Sequence, residues 1–131
     1  METRLLVAVL VFGGAVLTAC GGSKPGVGES CSAGDSYCTG NTEYFCDMNN
    51  GDTIRVIPCK GPGGCSVAQV AAGGVTQCDT SGNVAGDACK GDESFCADSQ
   101  TKLVCDPVSL VLKSTSCSTS CFLSGGQAFC M

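Results

Sequence analysis

Gly28-Glu29-Ser30-Cys31, Ser36-Tyr37-Cys38 and Phe45-Cys46-Asp47 return as Gly86-Asp87-Ala88-Cys89, Ser94-Phe95-Cys96 and Val104-Cys105-Asp106. Cys31 and Cys89 stand 58 positions apart, as do Cys38 and Cys96. Each run continues through three more cysteines: Cys59, Cys65 and Cys78 in the first, Cys117, Cys121 and Cys130 in the second. Both close on Gly-Gly-x-x-x-Cys, at Gly73 to Cys78 and Gly125 to Cys130. Six cysteines in one order, with matching glycine and aromatic positions, mark a duplicated module.

Twelve cysteines within so short a stretch read as a disulfide framework rather than a hydrophobic core. Outside the amino-terminal leader the aromatic residues are Tyr37, Tyr44, Phe45, Phe95, Phe122 and Phe129, and Trp is absent. Modules of ~50 residues with so few large side chains bury too little surface to fold on hydrophobicity alone. Three bridges per module, at ~2–4 kcal/mol each, make up the deficit. Six cysteines allow 15 pairings per module, and spacing does not choose among them. Duplication requires only that pairing stay within a module and repeat.

The fold expected is small and disulfide-rich: two tandem modules of short β-hairpins and loops, three intramodule disulfides each, after a helical signal peptide. The domain boundaries are a leader over 1–19, a tether over 20–27, module 1 over 28–79, a linker over 80–85 and module 2 over 86–131. The first hairpin pairs Thr42 to Asp47 with Thr53 to Ile57 through Asn50-Gly51, a turn signal because both residues tolerate positive φ. The second pairs Thr101 to Asp106 with Val111 to Thr115 through Asp106-Pro107. Ser66 and Gly73 bracket a short helix over Val67 to Ala72 as its caps. The junction Asp79 to Ala85 is small and polar, which suits a linker between two beads. Tyr37, Tyr44 and Phe45 are expected to supply most of the first module's core, the alternative being an aromatic stacking surface of the type used for sugars.

The leader carries Arg4, an apolar run from Leu5 to Leu17, and small residues before Cys20, the three parts of an export signal. The run falls short of the roughly 20 residues that span a bilayer as a helix. Leu17-Thr18-Ala19-Cys20 resembles the lipobox of bacterial lipoproteins. The resemblance implies lipidation of Cys20 by diacylglycerol, cleavage before it, and acylation of the new amino terminus, palmitate being the usual chain. Two or three chains, at ~0.8 kcal/mol per buried CH₂, hold a protein on a membrane for long times. Gly21 after the cysteine is compatible with outer-membrane sorting. The likeness ends at residue 20 and names an anchor, not an activity.

Charge and residue types narrow the function. Beyond the leader, eleven Asp and Glu face six Lys and Arg, and no basic stripe is present, which disfavours nucleic acid. There is no His and no Cys-x-x-Cys, so metal, cofactor, redox and Ser-His chemistry lack their usual ligands and bases. Asp92-Glu93, with Asp35-Ser36 at the matching place in the first copy, reads as a solvated acidic loop. Asp47, Asn49, Asn50 and Asp52 lack the spacing of an EF-hand and its terminal Glu. The chain is therefore expected to be no enzyme, but a cell-envelope lipoprotein in a binding or structural role. Its membrane contact is the anchor, and its partner is a protein or glycan. The alternative is a protease inhibitor offering the rigid loop Cys59 to Cys65, with Lys60 as specificity residue. The cysteine density and the Gly-acid-x-Cys openings resemble Dickkopf-type Cys-rich modules, without a full spacing match, and carry over no partner.

Overall fold

The computed structural model describes residues 23–70 and 73–131. The leader, the lipobox and Cys20 lie outside the described residues. Ten strands and no helix occur among the described residues: β1 (Ser36–Thr39), β2 (Thr42–Asp47), β3 (Thr53–Pro58), β4 (Cys65–Val70), β5 (Gly73–Cys78), β6 (Ser94–Cys96), β7 (Thr101–Cys105), β8 (Leu112–Ser116), β9 (Cys121–Ser124) and β10 (Gln127–Cys130). Each repeat is a three-stranded antiparallel meander followed by a two-stranded hairpin: β1-β2-β3 with β4-β5, and β6-β7-β8 with β9-β10.

The disulfides pair identically in both copies. The first cysteine joins the third (Cys31–Cys46, Cys89–Cys105), the second joins the fifth (Cys38–Cys65, Cys96–Cys121), and the fourth joins the sixth (Cys59–Cys78, Cys117–Cys130). The second-to-fifth bridge ties the meander's edge strand to the hairpin. The fourth-to-sixth bridge ties the end of the meander to the hairpin's last residue. Two sheets too small to bury one another are thus closed covalently.

Of the helix expected over Val67 to Ala72, the described part, Val67 to Val70, is strand: β4 pairs with β5 from Cys65↔Cys78 to Val70↔Gly73. The cap signals at Ser66 and Gly73 lose to the bridges at Cys65 and Cys78, which hold the segment's two ends side by side, and β-branched Val67 and Val75 suit a strand. The Gly-Gly pairs that look equivalent do different work. Gly125 and Gly126 form the two-residue turn of β9-β10, with φ of 59° and 81°. Gly73 and Gly74 lie inside β5 instead, where a Cβ on Gly74 would stand 2.8 Å from a Val67 methyl. The first hairpin is longer by four residues, two per strand, so the cysteines stay in register at its base. Its sister turn in the meander is also shifted by one: positive φ falls on Gly51 and Asp52, not on Asn50.

The interior is aliphatic and cystine rather than aromatic. Ile54, Ile57 and Cys59 are fully buried in the first repeat, and Cys89, Leu103, Cys105 and Leu112 cluster in the second with Phe95 packed against them. Tyr37, Tyr44 and Phe45, expected as core, are only half-buried. Tyr37 and Tyr44 stack at 4.7 Å across β1-β2. The Tyr37 hydroxyl donates to the Pro25 carbonyl at 2.7 Å, and Lys24 sits over its ring, so the described end of the tether lies against the sheet.

The 80–85 segment is fastened to the first repeat at Asn83. Asn83 is buried; its amide donates to the Pro58 carbonyl at 2.7 Å and its Oδ1 accepts the Lys60 N–H at 3.1 Å. Gly82 approaches the Lys60 carbonyl closely enough that no Cβ fits between them. Side chains then cross between the repeats: Lys60 to Asp87 at 2.7 Å, Lys90 to Glu43 at 2.8 Å, and Arg55 to the Cys89 and Leu110 carbonyls at 3.4 Å each, while Thr80 of the 80–85 segment donates through Oγ1 to Glu93 at 2.6 Å. A small polar composition suited a linker, but one buried amide with both ends bonded turns it into a clip.

Candidate functional site

The duplicated scaffold provides an internal control: a feature needed for folding appears in both copies, whereas one present in a single copy needs another explanation. Backbone bonds fix the equivalences. Cys46 N–H donates to Asp35 O and Cys105 N–H to Glu93 O, so Glu93 matches Asp35, and Asp92 matches Gly34. This corrects the sequence matching of Asp92-Glu93 with Asp35-Ser36 by one residue. Asp92 (φ 65°) and Gly34 (φ 89°) share the left-handed conformation, and Glu93 and Asp35 each accept a backbone N–H three residues back. These carboxylates are turn-holders in both copies.

The same test explains the Asp after the third cysteine. Asp47 pairs with Arg55 and Asp106 with Lys113, at equivalent places in the two meanders. Each also holds its turn: Asp47 accepts from Asn49 N–H and the Asn50 amide, Asp106 from Val108 and Ser109 N–H and the Ser109 hydroxyl. Burial pushes the Asp47 carboxyl up, but Arg55, Asn50 and the Asn49 N–H outweigh it and hold it below the ordinary range. The Lys113 ammonium and the turn donors hold Asp106 well below it too. Asp47, Asn49, Asn50 and Asp52, weighed as a calcium loop, thus have their leading carboxylate committed to Arg55.

A cleft of about 520 Å³ lies in the seam between the repeats and is lined by residues including Phe45, Met48, Asn50, Lys90 and Leu110. Its charges are internally matched. Lys90 stands 4.8 Å from the Phe45 ring centre and pairs with buried Glu43, while Arg55 reaches across to the Cys89 and Leu110 carbonyls. The Lys60 loop faces the same junction. Gly61 and Gly64 are buried, Asp79 accepts the Gly63 N–H at 2.8 Å, and Lys60 is held by Asp87. The loop is thus anchored at Gly61 and Gly64, while Lys60, Pro62 and Gly63 stay exposed.

The second repeat carries a surface that the first does not. Phe122 and Phe129 are cross-strand partners on β9-β10, their rings 5.9 Å apart and stacked, each more than 40% exposed (41% and 44%). The cysteines of this hairpin take the alternate positions and face the meander, which leaves the phenylalanines on the outer side. Counting from the paired cysteines, the same two positions in the first repeat are Ser66 and Gln77, also cross-strand partners, neither of them aromatic. The scaffold folds without aromatic residues there. Lys102 lies 5.7 Å from the Phe129 ring centre and also lines a neighbouring cleft of about 310 Å³ with Asp92, Ser94, Val104 and Gln127. An exposed stacked pair beside a shallow polar cleft can cover an apolar face of a ligand and hydrogen-bond its edge.

In the sequence these phenylalanines stand out only as members of a sparse aromatic set, and Tyr37, Tyr44 and Phe45 draw the attention instead. The missed signal is positional: Phe122 directly follows the fifth cysteine and Phe129 directly precedes the sixth, so in a hairpin closed at those cysteines both must point outward. Comparison with known protein families, with curated proteins and with solved structures finds no match to this chain.

Proposed function

We propose that the protein is an exported, lipid-anchored envelope protein whose two stapled repeats display a non-catalytic binding surface for a protein or glycan. The observation that carries the binding reading is the Phe122–Phe129 pair, exposed on the second repeat where the first has Ser66 and Gln77. Two exposed, stacked phenylalanines are costly in solubility and idle in folding; a ligand that covers them supplies their use. Support for the anchor is arithmetic: the six disulfides consume the twelve cysteines after Cys20, which leaves that residue to the lipobox. The leader and Gly21 direct the protein to the bacterial envelope, with the outer membrane or cell surface as its place.

The binding test uses residues the scaffold already tolerates. The double variant Phe122→Ser/Phe129→Gln recreates the first repeat's surface and should fold unchanged. Against a glycan array and immobilised envelope proteins it should lose binding by about thirtyfold, the effect of removing a ~2 kcal/mol anchor. Equal binding by both proteins removes the aromatic pair as the site. The anchor is tested by intact mass of membrane-extracted protein: a lipid-sized addition on Cys20 is expected, and an unmodified Cys20 rejects it.

A further inference from the structure

Within the chain the repeats meet front to back, not as mirror partners. The meander face of the first repeat (Glu43, Phe45, Arg55) receives the amino-terminal edge of the second. Lys90 lies on Glu43 and Phe45, and Arg55 donates to the carbonyls of Cys89 and Leu110 at 3.4 Å each. Such a heterologous contact leaves one socket and one edge unused at the two ends of the pair. Both survive in structure. The second repeat has the same meander face, now Lys102, Val104 and Lys113, and it is the side on which the smaller cleft opens. The first repeat has the same edge: Cys31 N–H donates to Asp52 O at 2.9 Å as Cys89 N–H does to Leu110 O at 3.1 Å.

The side chains at the two unused ends differ from those in the seam, and they differ in opposite senses. In the socket, Lys102 stands where the seam has Glu43, a change toward positive charge. On the edge, Ser32 stands where the seam has Lys90, and Asp52 where it has Leu110, two changes toward negative charge, beside Glu29 and Asp35. Asp106, paired with Lys113, and Asp92 at the cleft moderate the socket without reversing the change. The inner pair therefore matches by Glu43–Lys90, and the outer pair matches by Lys102 and Lys113 against Asp52 and its acidic neighbours.

We propose that copies of this protein associate front to back, the Lys102–Val104–Lys113 face of one second repeat receiving the Cys31–Ser32–Asp52 edge of another copy's first repeat. The contact lacks the Asn83 clip, because Pro25 occupies the matching position, so it is weaker than the seam and reversible. It extends into open rows rather than closing as a dimer. It uses the open meander face and does not require Phe122 or Phe129, but Lys102 and Val104 also line the cleft beside that pair, so a neighbouring copy and a ligand seated there compete.

The test is sedimentation velocity of the full-length protein in detergent, across a concentration series at low and high salt. The wild type should shift to larger species as concentration rises and lose them as salt screens the contact. Lys102→Glu and Ser32→Lys should each weaken association about tenfold or more, because each sets like charges against one another. Mixing the two variants in equal amounts should restore association as alternating rows, since the carboxylate introduced at position 102 then meets the ammonium introduced at position 32 as Glu43 meets Lys90 in the seam, while the unchanged end of each variant meets the unchanged end of the other. A monomer at every concentration overturns the proposal, as does a closed dimer insensitive to both substitutions. Association abolished by Phe122→Ser/Phe129→Gln but untouched by the charge variants overturns it as well, without affecting the ligand-binding reading; loss of ligand binding with association intact removes only that reading.

Discussion

The two repeats share strand order, disulfide pairing and the Asp–base pair after the third cysteine, yet they bury different things. The first spends a fully buried carboxylate, Glu43, on its inner face, with Thr76 Oγ1 donating to it at 2.5 Å and Lys90 of the second repeat supplying the counter-charge. At the equivalent position the second has Lys102, partly exposed, with no such partner among the described residues. Its buried set is instead Leu103, Leu112 and the two cystine sulfurs of Cys89 and Cys105. The shared features are those that close a module. The differing features sit in the seam and on the outer face of the last hairpin, which separates the residues that close a module from the rest without any second sequence.

The largest expected effect falls on what is shared. Replacing Cys59 and Cys78 by Ala should cost about 3 kcal/mol, and replacing Cys117 and Cys130 should cost the same to within about 0.5 kcal/mol, because loops of separation 19 and 13 differ little in closure entropy. Denaturant unfolding of the two double variants checks this. If one repeat tolerates the loss and the other unfolds outright, the scaffolds are not energetically equivalent and the internal comparison loses its force.

A smaller and one-sided effect is expected at the seam. Lys90→Ala leaves Glu43 buried without its ammonium, and breaking a buried pair from one side costs ~3 kcal/mol, lowered here to about 2 because Lys90 is itself part-exposed. Ser32→Ala, the equivalent change in the first repeat, should fall within about 0.5 kcal/mol of zero. Glu43→Gln should recover part of the Lys90→Ala loss by removing the stranded charge. Thermal unfolding of the three variants and the Lys90→Ala/Glu43→Gln double decides it. Equal effects at residues 32 and 90 would mean that the Glu43–Lys90 pair contributes nothing.

Much of the scaffold was readable from spacing. The duplication, the intramodule pairing and the two meander hairpins follow from cysteine order, alternating apolar residues and Asn-Gly or Asp-Pro turns, which are local signals. What escaped was tertiary. Val67 to Ala72 reads as a capped helix until Cys65 is bridged to Cys38 and set opposite Cys78. Asp79 to Ala85 reads as a linker because composition does not reveal that Asn83 finds both a donor and an acceptor in 58–60. Glu43 carries no local signal of burial, since its partner lies 47 positions on, at Lys90. The aromatic pair was open to inference from its placement beside paired cysteines, but only once those cysteines were known to face each other.

Acid should part the seam from the modules, the smallest of the expected effects. Asp87 is pushed up by burial, yet the Lys60 ammonium and the Val84 N–H outweigh that and leave it below its ordinary value; Asp47 is held down in the same net sense by Arg55, Asn50 and Asn49. A folded carboxyl below its unfolded value of about 3.9 binds fewer protons than the unfolded chain, so its contribution is complete above about pH 4 and is lost as pH falls through the lowered value. Protonating Asp87 removes the charge facing Lys60, and protonating Asp47 releases the guanidinium that also reaches the Cys89 and Leu110 carbonyls. The Asp87 loss strikes the contact between repeats and the Asp47 loss strikes both that contact and the turn over Asn49 and Asn50, whereas the disulfides that close each repeat do not titrate. Between about pH 4 and pH 2, amide resonances of 83–90 should move and lose hydrogen-exchange protection while those of Leu103 and Leu112 hold. If the core and seam resonances move together, the seam is not a separate electrostatic layer but part of one cooperative unit with the cores it joins.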